Sequence, residues 1–135
     1  MRTVIDSSFA SAALLQEVHT PFVREAAVWS GRLLGPALLP YEIANVMWKA
    51  VRQGVLLHDE APERLREYAG WNLDIELPPD GARHEAILAT ALQFGLTAYD
   101  AAYLEMAGRV DADLATLDDK LARAARKAGL TVHHP

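Results

Sequence analysis

The chain has 135 residues, of which 51% are hydrophobic and 23% are charged, and its formal net charge is −5. It contains no cysteine, which excludes disulfides, thiolate metal sites and cysteine nucleophiles. The negative charge argues against a protein that binds nucleic acid through a basic surface alone, but it is compatible with a nuclease whose acids bind metal cations. No apolar run approaches the ~20 residues of a membrane span, and the N-terminal apolar segment is too short for a signal peptide. We therefore expect one soluble, cytoplasmic domain over residues 1–135.

Short apolar runs alternate along the chain with segments of helical periodicity. The apolar runs predict five strands, at residues 3–5, 37–39, 73–77, 114–117 and 131–132. Helices are predicted over residues 6–16, 20–33, 41–54, 59–70, 80–95, 97–108 and 118–129. The third strand should be an edge strand, and the helix that follows it should turn Ile87, Leu88, Ala91 and Phe94 inward. Alternating strands and helices predict an α/β fold, a three-layer α/β/α domain with a mostly parallel five-stranded sheet.

Four acidic residues occupy special positions among the 18 in the chain. Asp6 directly follows the first strand, and Asp118 follows the fourth. Glu42 lies in the first turn of the helix after the second strand, and Asp100 lies in the first turn of the helix that begins at Thr97. Because like ends of parallel strands share one edge of a sheet, Asp6, Glu42 and Asp118 should lie at the same edge, where Asp100 can join them. Converging carboxylates raise each other's pKa, and a hard cation such as Mg²⁺ or Mn²⁺ relieves that repulsion.

Each of these acids also has a purely structural interpretation. An aspartate at a helix start caps unpaired backbone N–H groups, which suits both Asp118 and its neighbour Asp119. The sequence from Thr97 to Asp100 matches a capping box, and any acid in a first turn interacts favourably with the helix dipole. For a single acid the structural role is the more common one, so only the set of four together indicates a metal site.

Four stretches of the chain resemble PIN-domain ribonucleases, in particular the VapC toxins of toxin–antitoxin pairs. The stretches are TVIDSS at 3–8, YEIANVMWKA at 41–50, TAYDAAYLEMA at 97–107 and LATLDDKLARAA at 114–125. The resemblance covers essentially the whole chain and implies an α/β/α domain with a carboxylate pocket for Mg²⁺ or Mn²⁺ that cleaves RNA endonucleolytically. It assigns the catalytic and metal-binding acids to Asp6, Glu42, Asp100 and Asp118, which we call the acidic quartet, and leaves Asp119 outside it. Tyr41 departs from the small capping residue that relatives often carry before the glutamate.

Four polar residues are candidates for a supporting role. Ser8 and Thr116 lie close in sequence to Asp6 and Asp118, although local backbone capping is an equally good interpretation. Asn45 is three residues after Glu42 on the same helical face, where it could orient that carboxylate or contact substrate. Lys49 shares this polar stripe and could approach a phosphate, although a solvated lysine is the more common case.

The mechanism implied is attack by a metal-activated water, which leaves a 5′-phosphate and a 3′-hydroxyl. The resemblance also implies an RNA substrate, a VapB-like antitoxin laid over the active site, and a homodimer. A phosphoacceptor receiver domain fits poorly, because Ser7 and Ser8 follow Asp6 where it needs a second acid, and no lysine follows residues 131–132. A PIN nuclease that acts in RNA processing and a catalytically silent α/β binding module remain alternatives, the latter disfavoured by the intact quartet.

Overall fold

The computed structural model describes all 135 residues, which form five strands and seven α-helices. The strands are β1 (Arg2–Ile5), β2 (Arg32–Gly35), β3 (Leu73–Ile75), β4 (Asp113–Ala115) and β5 (Val132–His133). The helices are α1 (Ser7–Leu14), α2 (Thr20–Glu25), α3 (Leu39–Arg52), α4 (Glu60–Ala69), α5 (Gly81–Phe94), α6 (Ala98–Arg109) and α7 (Asp119–Lys127), with a 3₁₀ helix at Ala27–Ser30. None of these helices combines the length and the apolar character that crossing a bilayer requires.

The sheet is entirely parallel, with strand order β3-β2-β1-β4-β5. The chain runs outward from β1 through β2 to the edge strand β3, then returns to the other side of β1 for β4 and β5. Because parallel crossovers are right-handed, the two directions place α1–α4 on one face and α5–α7 on the other. The observed contacts agree, since α1 packs against α2, α3 and α4, whereas α6 packs against α5 and α7. The predicted three-layer α/β/α fold is confirmed.

The centre of the sheet is fully buried. Val4 and Ile5 of β1 and Leu114 and Ala115 of β4 have no exposed surface, and they belong to one cluster of 30 buried hydrophobic residues. Strands covered by helices on both faces need apolar side chains at consecutive positions, which is why β1 and β4 read as continuous apolar runs. This rigid centre fixes the ends of β1 and β4, from which the acids project.

The second strand was predicted in the wrong place. Residues 37–39 were expected to form it, whereas the strand is Arg32–Gly35, pairing Leu33 with Thr3 of β1. Gly35 ends this strand, and a β-carbon there would lie 2.6 Å from a methyl carbon of Leu39, so glycine permits close packing of the first turn of α3. The predicted helix over 20–33 is accordingly wrong beyond α2, because its last residues belong to the 3₁₀ helix and to β2.

Smaller differences affect the other elements. The fourth strand ends at Ala115, two residues earlier than predicted, so Thr116 and Leu117 lie in the turn before α7. The fifth strand is displaced by one residue, to Val132–His133. Leu88 of α5 was expected inward but is 57% exposed, because the buried stripe of this helix runs through Ile87, Ala91 and Phe94. The edge position of β3 is confirmed.

Candidate active site

The strand order reverses between β1 and β4, and both strands are followed by an aspartate at their carboxyl ends. Asp6 is the N-cap of α1 and accepts a hydrogen bond from the Phe9 backbone N–H at 2.9 Å. Asp118 is the N-cap of α7 and accepts from the Leu121 N–H at 2.7 Å. The capping interpretation is therefore correct for both acids, and it does not compete with a functional role. Ligands of open parallel sheets bind at the point where the strand order reverses.

Asp6 is the buried member of the quartet, with 5% of its surface exposed. One carboxylate oxygen accepts from the Ser8 hydroxyl at 2.6 Å and from the Phe9 N–H, and the other accepts from the Thr116 hydroxyl. These donors fix the orientation of the carboxylate. Burial raises the pKa of Asp6 to about 6; the bonds from Ser8, Thr116 and Phe9 oppose this, and the negative charge of Asp118 adds to it.

Ser8 and Thr116 connect the two turns that carry the aspartates. The Thr116 hydroxyl donates to Asp6 and accepts from the Asp118 backbone N–H at 3.0 Å. The Ser8 hydroxyl donates to Asp6 and accepts from the Leu117 N–H at 2.9 Å. Both residues lie where the sequence analysis expected them, beside the acids. Their bonds are more than local caps, because they join the start of the chain to residues more than 100 positions later.

Glu42 and Asp100 approach the same edge from the first turns of α3 and α6. The Tyr103 hydroxyl donates a hydrogen bond to a Glu42 carboxylate oxygen, and Tyr103 itself is buried in the core. The Asp100 N–H bonds to the Thr97 hydroxyl at 3.2 Å, which confirms the N-cap predicted at Thr97. The helical periodicity from Tyr41 onward correctly predicts Glu42 in the first turn of a helix, although the strand before that helix lies elsewhere than predicted.

The electrostatics link the four acids into one group. Burial raises the pKa of Glu42, and the charge of Asp100 raises it further, against the lowering effect of the bond from Tyr103. Burial and the charge of Asp118 raise the pKa of Asp100, whereas Lys120 lowers it. Asp118 in turn acts on Asp6. Each acid therefore feels at least one other, although no three Asp, Glu or His side chains stand close enough to form a ready-made metal cage.

The donors at this edge suit a hard divalent cation. They are carboxylate and hydroxyl oxygens without any thiolate, and the unfavourable repulsion among them is the kind that a bound cation removes. Asp118 is exposed, and Glu42 and Asp100 are half-buried, so a cation from solvent can reach these three carboxylates. The residues present fit Mg²⁺ or Mn²⁺ in their chemistry.

The remaining predicted residues and two unpredicted ones complete the surroundings. Asn45 and Lys49 are exposed on α3 and line a cavity with Glu42. Sequence reasoning missed Tyr103 and Lys120. Tyr103 follows Asp100 by one helical turn, and this spacing could have indicated it. Lys120 stands two residues after Asp118, but nothing in that spacing showed that it would act on Asp100.

The two adjacent aspartates of α7 have different surroundings. Asp119 lies in the first turn of α7, and its carboxylate is 2.9 Å from the imidazole of His134. His133 similarly lies 2.8 Å from Asp113. The C-terminal histidines are thus held against α7 and β4. Asp119 points to that side of the helix, whereas Asp118 is electrostatically coupled to Asp6 and Asp100.

Comparison with known proteins gives consistent matches. A sequence model described as PIN domain matches residues 3–127. Over 122 residues the chain is 33% identical to Ribonuclease VapC3 of Pyrobaculum aerophilum, a match that covers 90% of this chain and 93% of that protein.

Solved structures show the same fold. PAE2754 from Pyrobaculum aerophilum superimposes with a TM-score of 0.74 at 23% identity, covering 98% of this chain and 89% of that one. Mycobacterium tuberculosis VapC20, described as a sarcin-ricin loop cleaving toxin, gives 0.67 at 11% identity, covering 90% and 94%. FitAcB from Neisseria gonorrhoeae gives 0.58 at 18% identity, covering 96% and 95%. At such identities these structures establish the shared fold.

Proposed function

Because this chain belongs to the PIN-domain family, we propose that it is a metal-dependent endoribonuclease that hydrolyses RNA phosphodiesters at the acidic quartet. The observation that carries the proposal is the arrangement of Asp6, Glu42, Asp100 and Asp118. They lie around the point where the strand order of the sheet reverses, and each is electrostatically coupled to another. The sequence relationship to a ribonuclease supports RNA as the substrate.

The four acids have different roles in the proposed reaction. Asp6, held by three hydrogen bonds, is the fixed ligand, and Asp118 and Asp100 complete the metal-binding set. When bound, Mg²⁺ or Mn²⁺ supplies Lewis acidity that polarises the phosphate and lowers the pKa of the attacking water. Glu42, oriented by the Tyr103 hydroxyl, positions this water and accepts its proton. Attack of this water on phosphorus breaks the P–O3′ bond, and the leaving 3′-oxygen takes up a proton from solvent. The expected products therefore carry a 5′-phosphate and a 3′-hydroxyl, and the ribose 2′-hydroxyl takes no part.

The same proposal makes the protein the toxin of a toxin–antitoxin pair, inhibited by a VapB-like antitoxin. A groove of about 440 Å³ supports this partner, because it begins beside the quartet at Ser8 and Leu117 and continues to Val18 and Val46. Val18 is 89% exposed, so a bound apolar segment would cover it. A segment in this groove could reach the quartet with a basic side chain. A homodimer belongs to the same proposal, and its mass in solution tests it.

The decisive experiment is RNA cleavage by the purified protein in Mg²⁺ or Mn²⁺. We expect cleavage that stops with EDTA and falls by at least about 100-fold in Asp6→Asn and Asp118→Asn, because each substitution removes a ligand charge. Asp119→Asn is the matched control, since it changes the neighbouring acid that contacts His134, and its rate should stay near that of the unmodified protein. Cleavage that persists in EDTA, or equal losses at Asp118 and Asp119, would contradict the assignment.

A cellular experiment tests the toxin role separately. Expression of the chain alone should arrest growth, and Asp6→Asn should abolish the arrest. Co-expression of a cognate VapB-like antitoxin should restore growth and yield a complex that purifies as one species. Growth that is unaffected by an enzyme active in vitro would favour a role in RNA processing.

A further inference from the structure

A second cavity adjoins the quartet on the side of Glu42. It has a volume of about 320 Å³ and lies where the first turns of α3 and α6 approach each other. Its lining includes Tyr41, Tyr99, Asn45 and Lys49. Glu42 belongs to the lining too, so anything bound in the cavity lies directly beside the proposed reaction centre.

The two tyrosines leave much of their ring surface in water. Tyr41 is 79% exposed and Tyr99 is 66% exposed, although both residues line the same cavity. Neither ring stacks on another aromatic side chain, in contrast to Trp29 and Trp71, which pack together with ring centroids 4.9 Å apart. An exposed aromatic pair at the mouth of a cavity offers stacking surface to a planar ligand, and nucleobases are such ligands.

The polar groups of the cavity suit the rest of a nucleotide. The Asn45 amide has both donors and an acceptor, which can pair with the edge of a base. Lys49 forms no ion pair within the protein, so its charge is free to meet a phosphate. Positive charge matters in a chain of net charge −5, because a polyanion must be attracted past the acids.

The surface of α3 continues this chemistry beyond the cavity. Trp48 is 56% exposed, and the Arg52 guanidinium lies 5.3 Å from the centre of its ring. Two aromatic residues, Tyr41 and Trp48, and two cations, Lys49 and Arg52, therefore lie along one side of the helix. Proteins that bind single-stranded nucleic acid combine stacking rings with cations along the strand in this way.

We propose that this cavity holds one nucleobase of the RNA next to the cleaved phosphodiester, and that Tyr41 and Tyr99 are substrate-positioning residues of the site. The inference rests on the proposed nuclease function and assigns these residues to it. Tyr41 and Tyr99 stack on the base, Asn45 contacts its edge and Lys49 binds an adjacent phosphate. The base in the cavity must be unpaired, because a base that is paired and stacked in a duplex cannot offer a face to the two rings.

Binding and cleavage of short RNAs test the inference. A fluorescent oligoribonucleotide of about ten nucleotides is titrated in Mg²⁺ with protein carrying Asp118→Asn, which keeps the RNA intact. Adding Tyr41→Ala or Tyr99→Ala should weaken binding by about fivefold to a hundredfold. Tyr41→Phe keeps the ring and should bind like the parent. Leu57→Ala is the matched control, because it removes a similarly exposed side chain, 69% exposed, from the loop after α3.

An abasic scan supplies a test that does not depend on any variant of the cavity. Replacing one nucleotide at a time by an abasic one should weaken binding at one position beside the cleavage site, and that loss should disappear in Tyr41→Ala. A flat scan, or unchanged affinity of both alanine variants, would overturn the inference.

The outcome is distinguishable from that of the proposed function. If the unmodified protein cleaves RNA in Mg²⁺ but the abasic scan is flat, the nuclease assignment stands and the base-binding cavity is wrong. If no RNA is cleaved, the nuclease assignment fails whatever the binding experiment shows. Unchanged RNA binding in the tyrosine variants together with lost antitoxin binding would identify the cavity as a protein-binding surface instead.

Discussion

Replacing Asp6 by asparagine should stabilise the metal-free protein at neutral pH while it abolishes activity. Burial raises the pKa of this carboxyl from 3.8 to about 6 in the folded protein. The folded state therefore holds the proton more tightly than the unfolded state, and ionisation of Asp6 disfavours folding. Its unfavourable effect is absent below about pH 4, grows as the pH rises to about 6 and is complete above that.

The size of this effect follows from the two pKa values. One pKa unit corresponds to about 1.4 kcal/mol, so the ionised carboxylate lowers the free energy of unfolding by about 3 kcal/mol at neutral pH. Asparagine is uncharged and keeps the geometry, since its oxygen can accept from Ser8 and the Phe9 N–H and its amide can donate to the Thr116 hydroxyl. Imperfect bonds reduce the gain, and we expect a net stabilisation of about 2–3 kcal/mol above pH 6.

Urea unfolding in EDTA between about pH 4 and pH 8 measures this difference. The free energies of the parent and Asp6→Asn should agree near pH 4 and diverge by about 2–3 kcal/mol above pH 6. Asp111→Asn is the matched control, because Asp111 is exposed with a φ of 54°, a conformation that asparagine also tolerates. A difference in the free energy of unfolding that does not change with pH would refute the idea that burial destabilises the ionised Asp6 carboxylate. Added Mg²⁺ should stabilise the parent and have less effect on the variant.

Three further substitutions test the groups around the acids. Thr116→Val removes the hydroxyl that holds Asp6, so it should lower the free energy of unfolding by about 1–3 kcal/mol in a urea titration. It should also reduce kcat more than it changes KM. Thr116→Ser keeps a hydroxyl and should restore both the stability and kcat. Tyr103→Phe keeps the ring in the core but removes the hydrogen bond that lowers the pKa of Glu42. The acidic limb of the pH–rate profile should therefore move to higher pH. A limb that does not move would contradict the role of Glu42 as the base. Lys120→Met should raise the pKa of Asp100 in an NMR titration and weaken RNA binding. The free energy of unfolding should change by less than about 0.5 kcal/mol. An unchanged pKa of Asp100 would show that the lysine acts elsewhere.

The positions of the acids could be predicted because their signals are local. An aspartate directly after a buried apolar run, followed by helical periodicity, marks both Asp6 and Asp118 as helix caps at strand ends. The Thr97 cap of α6 similarly fixes Asp100 in a first turn. Once the sheet is parallel, these local features determine which edge the acids share.

The second strand could not be placed by the same means, because two similar candidates stand five residues apart. Leu33-Leu34 and Leu38-Leu39 are both apolar pairs next to a turn signal at Gly35-Pro36. What decides between them is pairing with β1, in which Leu33 lies opposite Thr3, and burial under the helices. Leu38 instead adopts helical backbone angles at the start of α3. Such long-range pairing cannot be detected in a short window of sequence.

The contacts that orient the acids were beyond local reasoning for a similar reason. Ser8 and Thr116 could be recognised as neighbours of aspartates, but the bond from Thr116 to Asp6 depends on the register of β1 against β4. Tyr103 is a large aromatic residue of the kind that fills a core, and only the approach of α3 to α6 brings its hydroxyl to Glu42.

The bond between Thr116 and Asp6 has a consequence for the protein during its synthesis. The two residues are 110 positions apart, and β1 gains β4 as its second neighbour only after that stretch has been made. A growing chain can pair β1 with β2, and β2 with β3, while Asp118 and Thr116 are still absent. The carboxylates then have no fixed arrangement, so an unfinished chain lacks the proposed catalytic site. In the proposed toxin, late completion of the sheet would delay RNA cleavage until translation of this domain is nearly complete.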